Sequence, residues 1–268
     1  MLALDQRFTF RGESIAWGSL GDGPPLVLLH GFPWSSQCWR RIAPWLAERH
    51  TVYFFDMLGT GQSAKPDSDV SAAVQSELLA ALLTHWDLQD PQVVGHDFGG
   101  LAALRAHFLH GVRYSKLHLI DAVAVLPSGS PFYAHVKQHE AAFAGLPDYA
   151  HAALFRAYIQ QAAHLPLSDE QVAVYFAPWS DTEGKAAFYR QIAQSDERHI
   201  REVQACYGAT EFEVHLTWGA EDTFIPVAQG EELAQLIKPE SVNVIAGAAH
   251  LIHEDAPEAV LGALLSRI

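Results

Sequence analysis

The stretch from Val93 to Gly100, VVGHDFGG, has the residues and spacing of a turn that presents a reactive side chain. Gly95 and Gly99 flank Asp97, each two residues away. After an apolar strand, this spacing lets the chain reverse so sharply that the central residue takes strained backbone angles and projects toward the start of a helix. The free N–H groups and positive dipole end of that helix keep a carboxylate ionised. A simpler interpretation is that Asp97 only caps the helix.

A carboxylate nucleophile favours reaction at saturated carbon. Attack on a carbonyl group would give a reactive anhydride, with little gain over direct hydrolysis. Displacement of a leaving group from alkyl carbon instead gives an ester of Asp97, and water then opens that ester. A general base typically accelerates such a hydrolysis about 10²–10⁴-fold. The sequence therefore predicts a two-step substitution that needs a base from elsewhere in the chain.

The elements that would position Asp97 follow the order of an α/β protein. Apolar runs of strand length alternate with longer segments of helical period, which indicates a mostly parallel central sheet with helices on both faces. A hairpin is predicted at 8–21, and further strands at 24–31, 51–61, 91–97, 115–125, 212–219 and 241–247. Helices are predicted at 70–88, 98–111, 226–237 and 257–268.

Residues 127–207 interrupt this alternation. Ala, His, Gln and Tyr dominate the segment, its pieces have helical character, and it contains no convincing strand. We therefore predict that residues 127–207 form a helical lid, inserted into a core of residues 1–126 and 208–268.

Composition restricts the function classes. The chain has 268 residues, 49% of them hydrophobic, and its net charge of -14 argues against a nucleic-acid surface. Two cysteines, Cys38 and Cys206, are too few for a disulfide framework or a zinc site. Neither a signal peptide nor a membrane span is evident. We expect a cytoplasmic protein with a small apolar substrate and water as partners, and with no nucleic acid, membrane, metal or organic cofactor; a homodimer is left open.

Five motifs together resemble the α/β-hydrolase superfamily, in particular its branch with an aspartate nucleophile. That branch includes epoxide hydrolases, haloalkane dehalogenases and haloacetate dehalogenases. The motifs span most of the chain, and they read LLHGFPWSSQCW, DMLGTGQS, GHDFGG, WGAEDTFIP and AGAAHLIHEDAP. In the superfamily, the nucleophile, the acid and the histidine follow in this order at the ends of strands.

The resemblance implies roles for five residues. It assigns the nucleophile to Asp97, the acid to Asp222 and the base to His250, and the backbone N–H groups of Phe98 and Phe32 would form an oxyanion hole. Two alternatives stay open. Asp121 follows the strand LHLI, where some dehalogenases of this branch carry the acid, and His253 lies three residues after His250.

The leaving group decides between an epoxide and a halide. Many haloalkane dehalogenases have a Trp after the nucleophile and an Asn in the HGFP loop, and haloacetate dehalogenases have an Arg after the nucleophile. Phe98 and Phe32 stand in these two places and offer no side-chain donor. Trp34 and Trp179 are candidate replacements. The absence of halide donors favours an epoxide hydrolase.

Epoxide opening requires acids, and in epoxide hydrolases lid tyrosines supply them. The segment AAFYRQ resembles the second lid motif of these enzymes and indicates Tyr189. The first lid tyrosine stays open among Tyr133, Tyr149 and Tyr158. The predicted function is hydrolysis of an epoxide to a diol, with a haloalkane or haloacetate dehalogenase as the alternative. An esterase-like or carbon–carbon-bond hydrolase, or a ligand-binding protein without activity, is a further alternative.

Overall fold

Eight apolar runs form the strands of one sheet, in the regions that the sequence predicts. The computed structural model describes all 268 residues. The strands are β1 (Gln6–Phe10), β2 (Glu13–Leu20), β3 (Pro25–Leu29), β4 (Thr51–Phe55), β5 (Gln92–His96), β6 (Lys116–Ile120), β7 (Glu213–Gly219) and β8 (Ser241–Ile245). Their order across the sheet is β1-β2-β4-β3-β5-β6-β7-β8. Strands β3 to β8 run parallel, while β2 is antiparallel to both β1 and β4. The predicted α/β class is confirmed.

Eleven α-helices connect and cover the strands. They are α1 (Ala43–Leu46), α2 (Ala72–His85), α3 (Phe98–His110), α4 (Pro131–Ala144), α5 (Asp148–Gln160), α6 (Asp169–Phe176), α7 (Thr182–Gln194), α8 (Arg198–Gln204), α9 (Val227–Ile237), α10 (Ile252–Asp255) and α11 (Pro257–Leu265). Helices α4 to α8 lie between β6 and β7, within the predicted lid, whose boundaries stay a prediction. None of the helices combines the length and the apolar character needed to cross a membrane.

Both faces of the central strands are buried, because successive side chains of a strand point to opposite sides and each side is covered. In β3, Leu26 and Leu28 contribute to one hydrophobic core, and Val27 and Leu29 contribute to the other. The first core also contains lid side chains, such as those of α5 and α7, and the second contains side chains of α2 and α3. Helices α4 to α8, called the lid below, therefore share a core with the sheet.

The parallel direction of the strands brings distant parts of the chain together. Strand β5 ends at His96, β7 at Gly219 and β8 at Ile245. Carboxyl ends of parallel strands meet at one edge of a sheet, which is where open α/β folds bind ligands. The segments after these three strands therefore share one edge.

Candidate active site

Asp97 occupies a strained turn between β5 and α3. Its backbone has φ 53° and ψ -123°, a conformation that is uncommon for a residue with a side chain. The turn is so tight that a Cβ atom on Gly99 would come within 2.5 Å of the His30 carbonyl oxygen. The Asp97 side chain makes no capping hydrogen bond to α3. Helix capping therefore does not explain why an aspartate stands at this position.

A backbone N–H group from the loop after β3 binds the Asp97 carboxylate. The N–H of Phe32 donates to Oδ2 over 2.9 Å, and the N–H of Phe98 is near enough to lower the pKa of the carboxyl group. A Cβ atom on Gly31 would lie 2.2 Å from Oδ2. Only glycine at position 31 therefore lets the Phe32 amide approach the carboxylate this closely.

His250 lies between two carboxylates. Its Nδ1 donates to Oδ2 of Asp222 over 2.9 Å, and its Nε2 lies 3.8 Å from Oδ1 of Asp97. The other Asp222 oxygen accepts hydrogen bonds from the N–H groups of Phe224, at 2.7 Å, and Ile225, at 2.9 Å. Asp222 is thus fixed by its own loop, and it in turn fixes the tautomer of the imidazole.

The pKa values of Asp97 and His250 are both raised, for different reasons. Burial raises the pKa of Asp97 to about 6, although the positive charge of His250 and the two backbone N–H groups oppose this shift. Burial alone would lower the pKa of His250, but the Asp222 carboxylate, assisted by Asp97 and Asp121, raises it to about 9. An ionised carboxylate next to an imidazolium is therefore the resting form near neutral pH.

Asp121 and His253, the alternative acid and base from the sequence, lie close to the site but form no hydrogen bond with Asp97, Asp222 or His250. Oδ1 of Asp121 accepts a hydrogen bond from the Gly219 N–H over 2.8 Å, and Oδ2 has no partner. Burial, together with the charge of Asp222, raises the pKa of Asp121 well above its ordinary value. Both ring nitrogens of His253 lack partners, and its ring packs edge-on against Trp39. The geometry favours Asp222 and His250 over Asp121 and His253.

A cavity of about 1040 Å³ opens onto the carboxylate and the imidazole. Its wall combines aromatic side chains with serine, lysine, glutamine and acidic side chains. The aromatic residues of the wall are Phe32, Phe98, Phe132, Tyr133, Tyr158 and Phe224. This volume lies at the upper end of the range typical of small-molecule sites.

Two lid tyrosines face this cavity. Tyr133 lies in the first turn of α4, and Tyr158 lies in the last turn of α5. Burial raises the pKa of both hydroxyls well above the ordinary value, and the negative charge of Asp97 adds to both shifts. Both phenols are therefore protonated at neutral pH. Tyr149, the other tyrosine left open by the sequence, is 80% exposed and lies outside the cavity wall.

The structure corrects the assignment of Tyr189 and Trp34 to the leaving group. Tyr189 is fully buried in the lid, and its hydroxyl donates to Nδ1 of His151 over 2.8 Å, while Nε2 of His151 donates to the Trp179 carbonyl. Trp34 is also buried, and it packs edge-on against Tyr175. Neither residue lines the cavity. The sequence carried no signal that would have selected Tyr133 and Tyr158, since their orientation depends on how the lid helices pack.

Trp179, the other candidate donor, is also engaged elsewhere. Its Nε1 donates to the Pro33 carbonyl over 2.9 Å, and the residue is absent from the cavity wall.

No group of three or more His, Cys, Asp or Glu side chains is arranged to hold a metal ion.

Comparisons with known proteins identify the family of this fold. A family model described as the alpha/beta hydrolase fold matches residues 24–257. An alpha/beta hydrolase fold protein from Burkholderia ambifaria, known from its crystal structure, is 55% identical; the match covers 100% of this chain and 99% of that chain, with a TM-score of 0.98.

Two curated relatives have named activities. A soluble epoxide hydrolase of Corynebacterium sp. strain C12 is 32% identical over 145 residues, which are 53% of this chain and 51% of that protein. A fluoroacetate dehalogenase of a Burkholderia species is 35% identical over 112 residues, which are 38% of this chain and 36% of that protein. The chain thus aligns with about half or less of the length of each.

Proposed function

The chain belongs to the alpha/beta hydrolase fold family, and from this we propose that it hydrolyses epoxides to diols through a covalent ester of Asp97. The observation that carries the proposal is the shared cavity. One wall presents a carboxylate held by the backbone N–H of Phe32, and the lid presents two phenols to the same space. The similarity to a soluble epoxide hydrolase supports the same reaction.

In the first step, Oδ1 of Asp97 attacks a ring carbon of the epoxide. Oδ1 is the nucleophile because Oδ2 is held by the Phe32 N–H. The new C–O bond forms as the ring C–O bond breaks, and the ring oxygen takes a proton from Tyr133 or Tyr158. Neutral phenols suit this role, since they hold the oxygen by hydrogen bonds while its charge develops.

In the second step, water attacks the carbonyl carbon of the ester. His250 takes a proton from this water, and Asp222 stabilises the imidazolium that forms. The N–H groups of Phe32 and Phe98 stabilise the tetrahedral oxyanion. As it collapses, the departing alkoxide takes the proton from His250 to complete the diol. The second proton of the water passes from the new carboxyl group of Asp97 to the phenolate, which restores both the carboxylate and the tyrosine. The two steps use only substrate, water and side chains.

The covalent ester is tested by replacing the base. We expect His250→Gln to form the ester and then stall, because attack by Asp97 does not need the imidazole whereas hydrolysis does. Mass spectrometry should find a peptide that contains Asp97 with the added mass of the epoxide. A variant that stays unmodified by an epoxide that the native protein converts would contradict the proposal. Single turnover in H₂¹⁸O gives a second test, because the first diol should carry no label.

The ring-opening acids are tested by removing each hydroxyl. We expect Tyr133→Phe and Tyr158→Phe each to slow ester formation about tenfold or more, since each deletes a donor to the developing alkoxide. Tyr189→Phe is the matched control, because its hydroxyl bonds within the lid and does not reach the cavity. Ester formation should keep its rate in this control. Equal rates in all three variants would remove the tyrosines from the mechanism.

A dehalogenase remains the second candidate because of the similarity to a fluoroacetate dehalogenase. The cavity wall contains no tryptophan and no arginine, the side chains expected to bind a halide or a haloacetate carboxylate. This absence favours an epoxide. A panel of terminal epoxides, haloalkanes and haloacetates, followed by diol formation and halide release, discriminates between the two reactions. Ester or carbon–carbon-bond cleavage, or ligand binding without turnover, would appear in the same panel as no reaction.

A further inference from the structure

Phe224 lies two residues after Asp222, and its ring contacts His250. Its backbone N–H donates to Oδ1 of Asp222 over 2.7 Å, so the same carboxylate holds both the imidazole and this segment of backbone. The Phe224 ring stacks on the His250 imidazole, with centroids 5.3 Å apart and planes inclined by 27°. Phe224 also lines the cavity.

The same ring contacts one of the lid tyrosines. The centroids of Phe224 and Tyr158 are 5.4 Å apart, with planes inclined by 34°. Phe224 therefore bridges the base of the core and a phenol of the lid. It has no polar group that could take part in proton transfer, so any contribution to the reaction acts through its neighbours.

We propose that Phe224 is a positioning residue, which holds the His250 imidazole toward the ester on Asp97 by stacking on it. This inference rests on the proposed function, since it assigns the effect to the second, histidine-dependent step. The Asp222 bond fixes one nitrogen of the imidazole, and the His96 ring also contacts the imidazole, with centroids 4.9 Å apart. Nε2 lies 3.8 Å from Oδ1 of Asp97, too far for a direct hydrogen bond to complete the alignment. The stack with Phe224 adds a constraint from the cavity, which Phe224 lines and His96 does not.

The kinetic test compares two leucine variants. Phe132 also lines the cavity and also packs on Tyr158, with centroids 5.2 Å apart, but it has no stacking contact with His250. Phe224→Leu and Phe132→Leu therefore both remove a ring from the cavity and a contact from Tyr158. Only the first removes the stack on the base.

We expect Phe224→Leu to slow hydrolysis of the ester about tenfold, which is the upper value for loss of an aromatic pair. Phe132→Leu should leave the hydrolysis rate constant within about twofold. Any effect on ester formation through Tyr158 should be similar in the two variants. Phe224→Tyr, which keeps a ring in place, should recover most of the hydrolysis rate. Equal hydrolysis rates in the two leucine variants, or no recovery with tyrosine, would overturn the inference.

A second measurement needs no substrate. A stacked ring shifts the imidazole protons of His250 upfield in the proton NMR spectrum, and the His250→Gln variant identifies these resonances by their loss. We expect Phe224→Leu to move them downfield and Phe132→Leu to leave them in place, at a fixed pH below the pKa of His250. Unmoved resonances in Phe224→Leu would overturn the inference, whatever the activity. Moved resonances without turnover of any epoxide would support the positioning of His250 and contradict the proposed function.

Discussion

Among individual residues, Asp97 and His250 have charges that depend on each other. Each charge stabilises the other in the resting site, because both residues are buried and close. Formation of an ester removes the negative charge of Asp97. That charge is one of the causes that raise the pKa of His250, so esterification makes the imidazole easier to deprotonate. In the proposed mechanism, the first step thereby lowers the pKa of the base that the second step needs.

The pH dependence of the two steps follows from this coupling. Asp97 attacks only when ionised, and its pKa is raised to about 6, so ester formation should fall about tenfold per pH unit below pH 6 and level off above it. Hydrolysis requires neutral His250, and its midpoint should lie below the value of about 9 in the resting site. Pre-steady-state kinetics across pH 4 to 10 would measure both profiles. Ester formation that stays constant down to pH 4 would contradict the raised pKa of Asp97.

The identity of the acid is a second prediction at this scale. Asp222→Asn removes the charge that stabilises the His250 imidazolium and should slow ester hydrolysis about 100-fold or more. Asp121→Asn is the matched control, because the amide oxygen can still accept the Gly219 N–H and the lost oxygen has no partner. We expect less than a threefold change in this control. The reverse order of effects, read from single-turnover rates, would assign the acid to Asp121.

Among the secondary-structure elements, the turns at the carboxyl edge of the sheet set the geometry of the site. Gly31→Ala would place a Cβ atom 2.2 Å from Oδ2 of Asp97, so either the carboxylate or the Phe32 amide must move. We expect ester hydrolysis to slow about 10²–10³-fold, the usual effect of losing one oxyanion donor.

Gly262→Ala serves as the control for Gly31→Ala, because position 262 lies in α11 with open space around it. This variant should keep its activity and its thermal stability. Stalled ester, seen by mass spectrometry in the first variant only, would tie the loss to the oxyanion hole. Normal ester hydrolysis in Gly31→Ala would contradict the prediction, because it would show that the loop around Phe32 accommodates the added Cβ atom.

The sequence predicts the sheet far better than the lid. Buried parallel strands are apolar on both faces, so runs such as LVLL and QVVGH identify them without tertiary information. The chain order of the superfamily then places Asp97, Asp222 and His250 at strand ends. In the lid, adjacent residues of a helix point about 100° apart, and packing decides which of them meets the cavity. This is why the FYRQ segment of α7 indicated Tyr189, whereas the structure turns that hydroxyl into the lid.

At the scale of the whole molecule, a buried polar cluster joins the lid to the core. Glu254 of α10 forms an ion pair with Arg40 at 2.5 Å and accepts hydrogen bonds from Tyr175, at 2.5 Å, and Gln171, at 2.8 Å, both on α6. The Glu254 side chain is 1% exposed. A charge this well buried is costly to leave without its partners.

We expect Glu254→Gln to lower the free energy of unfolding by about 3 kcal/mol, because it leaves the Arg40 guanidinium without its counterion. Glu77→Gln makes the same change in the exposed pair of Arg11 and Glu77, and should cost less than about 1 kcal/mol. Urea denaturation measures both. Similar losses in the two variants would mean that the buried cluster adds no more stability than a surface ion pair.

The breadth of the cavity bears on stereochemistry. In a cavity of about 1040 Å³, a small epoxide can take several orientations. Either ring carbon of either enantiomer can then face the Asp97 carboxylate. A bulky epoxide touches the aromatic walls on several sides and is limited to one approach. Regioselectivity and enantiomeric excess should therefore rise with the size of the substituent, and the smallest oxiranes should yield nearly racemic glycols.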